Sequence, residues 1–213
     1  MRCLALLLFP LLLAAADFQA GLAAYRGGDF ATALREWLPI AEQGDPNAQY
    51  NIGLLYAHGK GVMQDWQQAR EWYLKAARQG VAAAQFNLGV IYANGDGVPK
   101  DAAQAEKWFL MAAGQGIGSA QTNLGRLYSE GGAGVANYAE AEKWYRQAAG
   151  QGDPAAAFEL GLLYDIGRGV PQDFAEALKW YRQAAGADAY RGPVRNGAQG
   201  RPADLDLPVQ RVP

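Results

Sequence analysis

The chain repeats itself every 36 residues, and this period constrains its fold more than any other feature of the sequence. A fixed period of 20 to 50 residues is typical of stacked supersecondary units and not of one globular core. Glycine, tyrosine and tryptophan columns share the spacing: Gly53, Gly89, Gly125 and Gly161; Tyr56, Tyr92, Tyr128 and Tyr164; Trp72, Trp108, Trp144 and Trp180.

Each unit carries the apolar spacing of two helices. Ala48, Ile52 and Tyr56 lie four residues apart on one stripe, and a second stripe follows between residues 65 and 80. A capping box opens the second helix of each unit, with Asp or Asn followed three residues later by Gln or Glu. The mid-helix glycines predict close approach of the paired helices, and the aromatic columns predict core packing. The sequence therefore predicts an all-α solenoid of about five antiparallel helix pairs.

The two ends of the chain lack the period. Residues 1–16 join Arg2 to an apolar run and three alanines, which predicts a signal peptide and an exported protein. The chain's one cysteine, Cys3, lies inside this segment, so we expect neither disulfides nor zinc–thiolate sites. Residues 188–213 are rich in proline and glycine, which predicts a disordered tail. The small net charge of −2 indicates no nucleic-acid partner.

Residues 48–80 and 84–116 carry the pattern A-x-[YF]-x-[LI]-G-x-[LI]-Y-x-x-G-x-G-V, a later D-x-x-x-A-x-x-W and a closing Gln-Gly. The pattern resembles the Sel1-like repeat. On this basis we assign four repeats (48–83, 84–119, 120–155 and 156–187), preceded by a tetratricopeptide-like helix pair at 17–47. The third repeat departs from the pattern because Gly134-Val135 comes one place late. The resemblance implies a right-handed α-α superhelix used mostly for protein–protein contact, often in the periplasm or outside the cell.

Few residues could carry chemistry. The chain has one histidine, His58, and two serines, Ser119 and Ser129, and none of them lies in a catalytic motif. A single histidine cannot build a multi-histidine metal site. A cysteine-rich branch of the family has been linked to β-lactam chemistry, but its paired cysteines are missing here. We therefore expect no cofactor, no metal and no enzymatic activity.

The first helix of each unit is expected to line the concave side of the superhelix, where a protein or peptide would bind. The stripe next to the core stripe presents three ladders. The predicted partner-binding residues are Asn51, Asn87 and Asn123; Leu54, Val90 and Arg126; and His58, Asn94 and Glu130. The asparagines could clamp an extended peptide backbone, since amides donate and accept. They could equally bond neighbouring repeats.

Three hypotheses follow for function. The leading one is a non-enzymatic periplasmic adaptor that binds a protein on its concave face. The alternatives are an envelope enzyme acting on β-lactams or peptidoglycan, and a secreted protein that binds a host glycoprotein. No transmembrane segment is expected in the mature chain, and a homo-oligomer is compatible with all three.

Overall fold

The computed structural model describes residues 17–132 and 134–186, which form ten α-helices and no strand. The predicted signal peptide and tail lie outside these residues. Consecutive helices pack side by side, first within a pair and then against the next pair. This order confirms the predicted all-α solenoid of helix pairs.

The helices form an N-terminal pair and four further pairs, which we call units one to four. The bounds are α1 Phe18–Arg26 and α2 Phe30–Glu42; α3 Pro46–His58 and α4 Trp66–Arg78; α5 Ala82–Asn94 and α6 Ala102–Gly114; α7 Gly118–Glu130 and α8 Tyr138–Gly150; α9 Pro154–Ile166 and α10 Phe174–Gly186. The first helices of units one to four each begin two residues before the repeat boundary assigned from the sequence. Asp45 and Asp153 cap two of them, α3 and α9, which start at the following proline.

Local chemistry sets the start of each second helix. The Asp65 side chain accepts from the backbone N–H groups of Gln67 and Gln68, at 2.9 and 3.0 Å. Asp101, Asn137 and Asp173 hold the same position in units two to four. These bonds satisfy backbone donors that the first helical turn leaves without partners. The caps were predicted from the sequence.

An aromatic ring of the paired helix is the nearest neighbour in the space that the mid-helix glycines leave. A methyl group on Gly53 would lie 2.6 Å from Cδ1 of Tyr73, and one on Gly89 would lie 2.4 Å from Cδ1 of Phe109. The prediction of close approach is correct, but the neighbour is an aromatic side chain because the glycine provides the volume that the ring needs.

Buried glutamines join consecutive pairs. The Nε2 of Gln49 donates to the Ala41 carbonyl of the preceding pair at 2.9 Å, and its Oε1 accepts from Gln79 at 2.9 Å. Gln85 makes the same two contacts, donating to the Ala77 carbonyl and accepting from Gln115. Gln121 shares the second contact, since it accepts from Gln151 at 3.1 Å. We call these contacts the glutamine links. Because a buried amide is costly unless it is hydrogen-bonded, the links favour one register between pairs.

Candidate interaction surface

Four of the nine predicted partner-binding side chains lie in the interior. Asn51, Leu54 and Asn87 are 0% exposed and Val90 is 5% exposed. The expectation that these four side chains face a partner is therefore wrong for this structure.

These four side chains are buried because the surrounding helices enclose the middle of α3 and of α5 on every side. All eight residues from 48 to 55 of α3 are buried, as are all eight from 84 to 91 of α5. A helix that is buried all round carries apolar residues on all faces, and here the predicted surface stripe itself holds Leu54 and Val90. In α7 the equivalent position is Arg126, and only four residues of that helix are buried.

The asparagines do not present a uniform ladder. The Nδ2 of Asn123 donates to the Ser119 carbonyl at 2.7 Å, and its Oδ1 accepts from Arg126 at 2.6 Å. The side-chain amide of Asn87 is buried without a hydrogen-bond partner. Asn123 thus serves its own helix and orients the Arg126 guanidinium, which agrees better with a structural role than with a peptide clamp.

The remaining predicted residues lie near the ends of the first helices. His58 and Asn94 are half-buried at the last positions of α3 and α5. The Nδ2 of Asn94 donates to Asp96 in the following turn at 3.2 Å. Glu130 is exposed at the end of α7.

Arg126 and Glu130 face a third charged group from the next unit. Burial raises the pKa of the Glu159 carboxyl on α9, Arg126 opposes this shift, and Glu130 adds to it. Burial also raises the pKa of the Tyr145 hydroxyl nearby. The surface of units three and four therefore carries both signs of charge in a partly desolvated setting, where charges interact more strongly than in water.

A cavity of about 340 Å³ opens between units two and three. Three of the predicted residues line it, namely Asn123, Arg126 and Glu130. Apolar side chains from both units complete the wall, so the cavity combines an apolar interior with charged groups. Concave sites with this mixture are typical of ligand-binding positions in proteins. We call this space the junction cavity.

Sequence reasoning missed Lys100, Ala102 and Gly132, which also line the junction cavity. The signal was visible in the 36-residue column that opens each second helix. That column reads Phe30, Trp66, Ala102, Tyr138 and Phe174. Ala102 is its one non-aromatic member, and the departure falls at the cavity.

A smaller cavity of about 150 Å³ adjoins the same turn and shares Leu127 and Gly132 with the first. The Tyr128 hydroxyl beside it donates to Oε1 of Glu106 in a short hydrogen bond. This bond to a carboxylate, together with burial, raises the pKa of Tyr128 to about 12. The pair connects α6 of unit two to α7 of unit three.

The described residues contain no group of three or more His, Cys, Asp or Glu side chains placed to hold a metal ion. The Ser129 hydroxyl donates to the Arg126 carbonyl at 2.9 Å. Among residues 17–132 and 134–186, no helix combines the length and apolarity that a membrane span requires.

Stacked helix pairs, glutamine links and a cavity between pairs define an α-solenoid of repeated units. The Sel1 repeat model matches residues 46–81, 82–117, 118–153 and 154–188, and the chain belongs to this family. The Sel1 repeat solenoid is commonly a scaffold for protein–protein contact. Among curated proteins, none matches the chain.

Solved structures agree with this assignment. The Sel1 repeat protein from Oxalobacter formigenes is 40% identical with a TM-score of 0.74, and the match covers 80% of this chain and 70% of that one. The c5321 protein, a protective antigen present in uropathogenic Escherichia coli strains, is 40% identical with a TM-score of 0.76. This match covers 80% of this chain but only 38% of c5321. A Sel1 repeat protein from Klebsiella pneumoniae, 22% identical with a TM-score of 0.53 over 82% of this chain and 88% of that one, shares the fold.

Proposed function

We propose that the chain is a non-enzymatic adaptor of the bacterial envelope that binds a protein partner on the first-helix face of units two to four. The observation that carries the proposal is the junction cavity, because three of the residues predicted to contact a partner line it. A site of mixed apolar and charged character on a rigid helical stack suits recognition of a polypeptide.

The partner-binding region of this proposal is narrower than the stripe predicted from the sequence. Asn123, Arg126 and Glu130 form its centre, and the buried residues of α3 and α5 are left out. Arg126 is the expected anchor, since arginine is enriched at the energetic centre of interfaces and is held here by Asn123.

The composition of residues 1–16 supports the proposed envelope location. The charged start, apolar run and alanines of residues 1–16 are the composition of a signal peptide. Fractionation of cells that produce the full chain tests the location, with periplasmic recovery and cleavage before Asp17 as the expected result. Recovery from the culture medium instead would favour the secreted alternative, which the c5321 antigen also motivates.

The partner site is tested by crosslinking in the envelope followed by mass spectrometry. The variant combines Asn123→Ala, Arg126→Ala and Glu130→Ala, and we expect the yield of the crosslinked partner to fall about tenfold or more. The matched control combines Lys107→Ala, Lys143→Ala and Lys179→Ala, three exposed charges on the second helices. Equal yields from the two variants would reject this face.

The absence of enzymatic activity has its own test. The purified mature chain is expected to leave labelled β-lactams and muropeptides unchanged. Turnover of either substrate would support the envelope-enzyme alternative and overturn the proposal.

A further inference from the structure

The junction between units two and three lacks the aromatic ring that the other described junctions have at the start of the second helix. At the three other described junctions the second helix opens with an aromatic residue, and a glycine of the next turn packs against the start of that helix. A methyl group on Gly61 would lie 2.8 Å from Cβ of Phe30, and one on Gly97 would lie 2.6 Å from Cβ of Trp66. Gly169 meets Tyr138 in the same way, at 2.5 Å.

At two of these junctions a cation covers the ring. The Nζ of Lys60 lies 5.4 Å from the Phe30 ring centroid, and the Arg168 guanidinium carbon lies 5.4 Å from that of Tyr138. Such distances give a favourable cation–π contact. At these two junctions the turn that follows the first helix thus supplies both a glycine packed against the start of the preceding second helix and a cation over its aromatic ring. At the Trp66 junction the equivalent of Lys60 is Asp96.

At the junction between units two and three, small residues replace both the aromatic ring and the cation. Ala102 holds the ring position, and Gly132 holds the position of Lys60 and Arg168. The valine that follows the turn is displaced as well. Val62, Val98 and Val170 pack against the core, whereas Gly134 takes their place in unit three and Val135 is 94% exposed.

The space left by these changes coincides with the junction cavity, because Ala102 and Gly132 both line it. We propose that this cavity receives an aromatic side chain from the partner polypeptide, in the place where the other junctions hold a ring of this chain. The inference rests on the proposed function and names the chemistry of its partner.

The cavity wall suits a ring. Phe109 and Leu127 supply apolar surface, and Lys100 and Arg126 bring cations to a ring that enters between them. Arginine and lysine both bind aromatic faces, arginine more often. The volume of about 340 Å³ is at the small end of the range for ligand pockets, as expected for one side chain and not for an extended ligand.

The test is a titration of the full mature chain with N-acetyl-tryptophanamide, followed by amide chemical shifts in NMR spectra. A fragment of this size is expected to bind with a dissociation constant on the order of 1 mM. We expect shifts at Leu127, Gly131 and Gly132 and none with N-acetyl-leucinamide. No saturable shift at these amides up to about 10 mM, roughly ten times that constant, would overturn the proposal.

Three variants sharpen the result. In Ala102→Trp the chain's own ring is expected to fill the junction cavity. The melting temperature should therefore be at least that of the wild type, and the chemical-shift response to the fragment should be lost. Ala102→Tyr is the smaller alternative. The matched control is Ala103→Trp, because Ala103 is the exposed neighbour on the same helix. An undiminished response in a folded Ala102 variant would also overturn the proposal.

One further outcome separates the aromatic inference from the proposed function. If Ala102→Trp keeps the crosslinked partner that the Asn123, Arg126 and Glu130 variant loses, the aromatic inference fails while the proposed function stands.

Discussion

At the residue scale, the mid-helix glycines show how one absent side chain sets the geometry of a helix pair. Glycine costs about 1 kcal/mol relative to alanine within a helix, yet it recurs at the same place in units one to four. A methyl group on Gly125 would lie 2.5 Å from Cδ1 of the buried Tyr145 ring. The ring contact therefore outweighs the helix propensity.

We accordingly expect Gly125→Ala to lower the free energy of unfolding by about 1–3 kcal/mol, because the ring must shift inside a packed core. Chemical denaturation measures the effect. Gly114→Ala and Gly150→Ala are matched controls at the ends of α6 and α8, where a methyl group would meet nothing within 4 Å. They should raise stability by about 0.5–1 kcal/mol, and a loss similar to that of Gly125→Ala would contradict the explanation.

The Tyr128–Glu106 hydrogen bond predicts a dependence on alkaline pH. The pKa of Tyr128 is raised to about 12 in the folded chain against 10.0 as its ordinary value. Between these values the unfolded chain holds fewer protons at this site, so the contribution to stability is complete below about pH 10 and declines towards pH 12. Absorbance titration relative to Tyr128→Phe measures the shift. Glu106→Gln should return the pKa towards its ordinary value, and an unchanged titration would refute this cause.

At the element scale, the Asp153 side chain both caps α9 and bonds to a residue of α7. Asp153 accepts from the N–H groups of Ala155 and Ala156 at 2.9 and 3.1 Å and also from the Thr122 hydroxyl at 2.7 Å. The second contact connects α9 to α7 across the boundary between units. Asp101 caps α6 through Gln104.

Asp153→Ala is therefore expected to cost about 2 kcal/mol, the sum of a cap and a cross-unit hydrogen bond, against about 1 kcal/mol for Asp101→Ala. Thermal and chemical unfolding of both variants measure the difference. A double-mutant cycle with Thr122→Val isolates the second contact. Strict additivity in this cycle would show that Thr122 contributes nothing to the cap.

The helices and their caps could be predicted because their causes are local and repeat in every unit. Asp65 caps α4 through residues that follow it directly, and the 36-residue period fixes the same event in the later units. The interaction surface could be predicted only in part. Burial of Asn51 and Asn87 depends on how neighbouring elements enclose α3 and α5, which no spacing within a unit encodes. Arg126, one of the predicted partner-binding residues, lines the junction cavity, but the cavity was not predicted, because it lies where Ala102 and Gly132 depart from the residues of the other units.

At the scale of the whole molecule, stability is close to a sum of units and the interfaces between them. The interface between units two and three lacks the ring and the packed valine that the other turns have, so we expect it to open first. Hydrogen exchange should be faster at the amides of residues 131, 132 and 134–137 than at those of 59–65 and of the non-proline residues of 95–101. Equal protection of the three turns would contradict this view of the junction.

The glutamine links bear on how a gene for such a protein can change in length. Both glutamines of a link belong to the same 36-residue unit. The third partner of Gln49 and of Gln85 is a main-chain carbonyl, which every residue supplies. A duplicated unit thus contains both glutamines of its own link, and its neighbour needs no matching side-chain substitution. Unit four, with Ala157 in the glutamine column, is held differently, since Gln183 on α10 donates to the Ala149 carbonyl at 2.6 Å. Recombination can therefore lengthen or shorten the stack by whole units at its linked boundaries without new side-chain pairings.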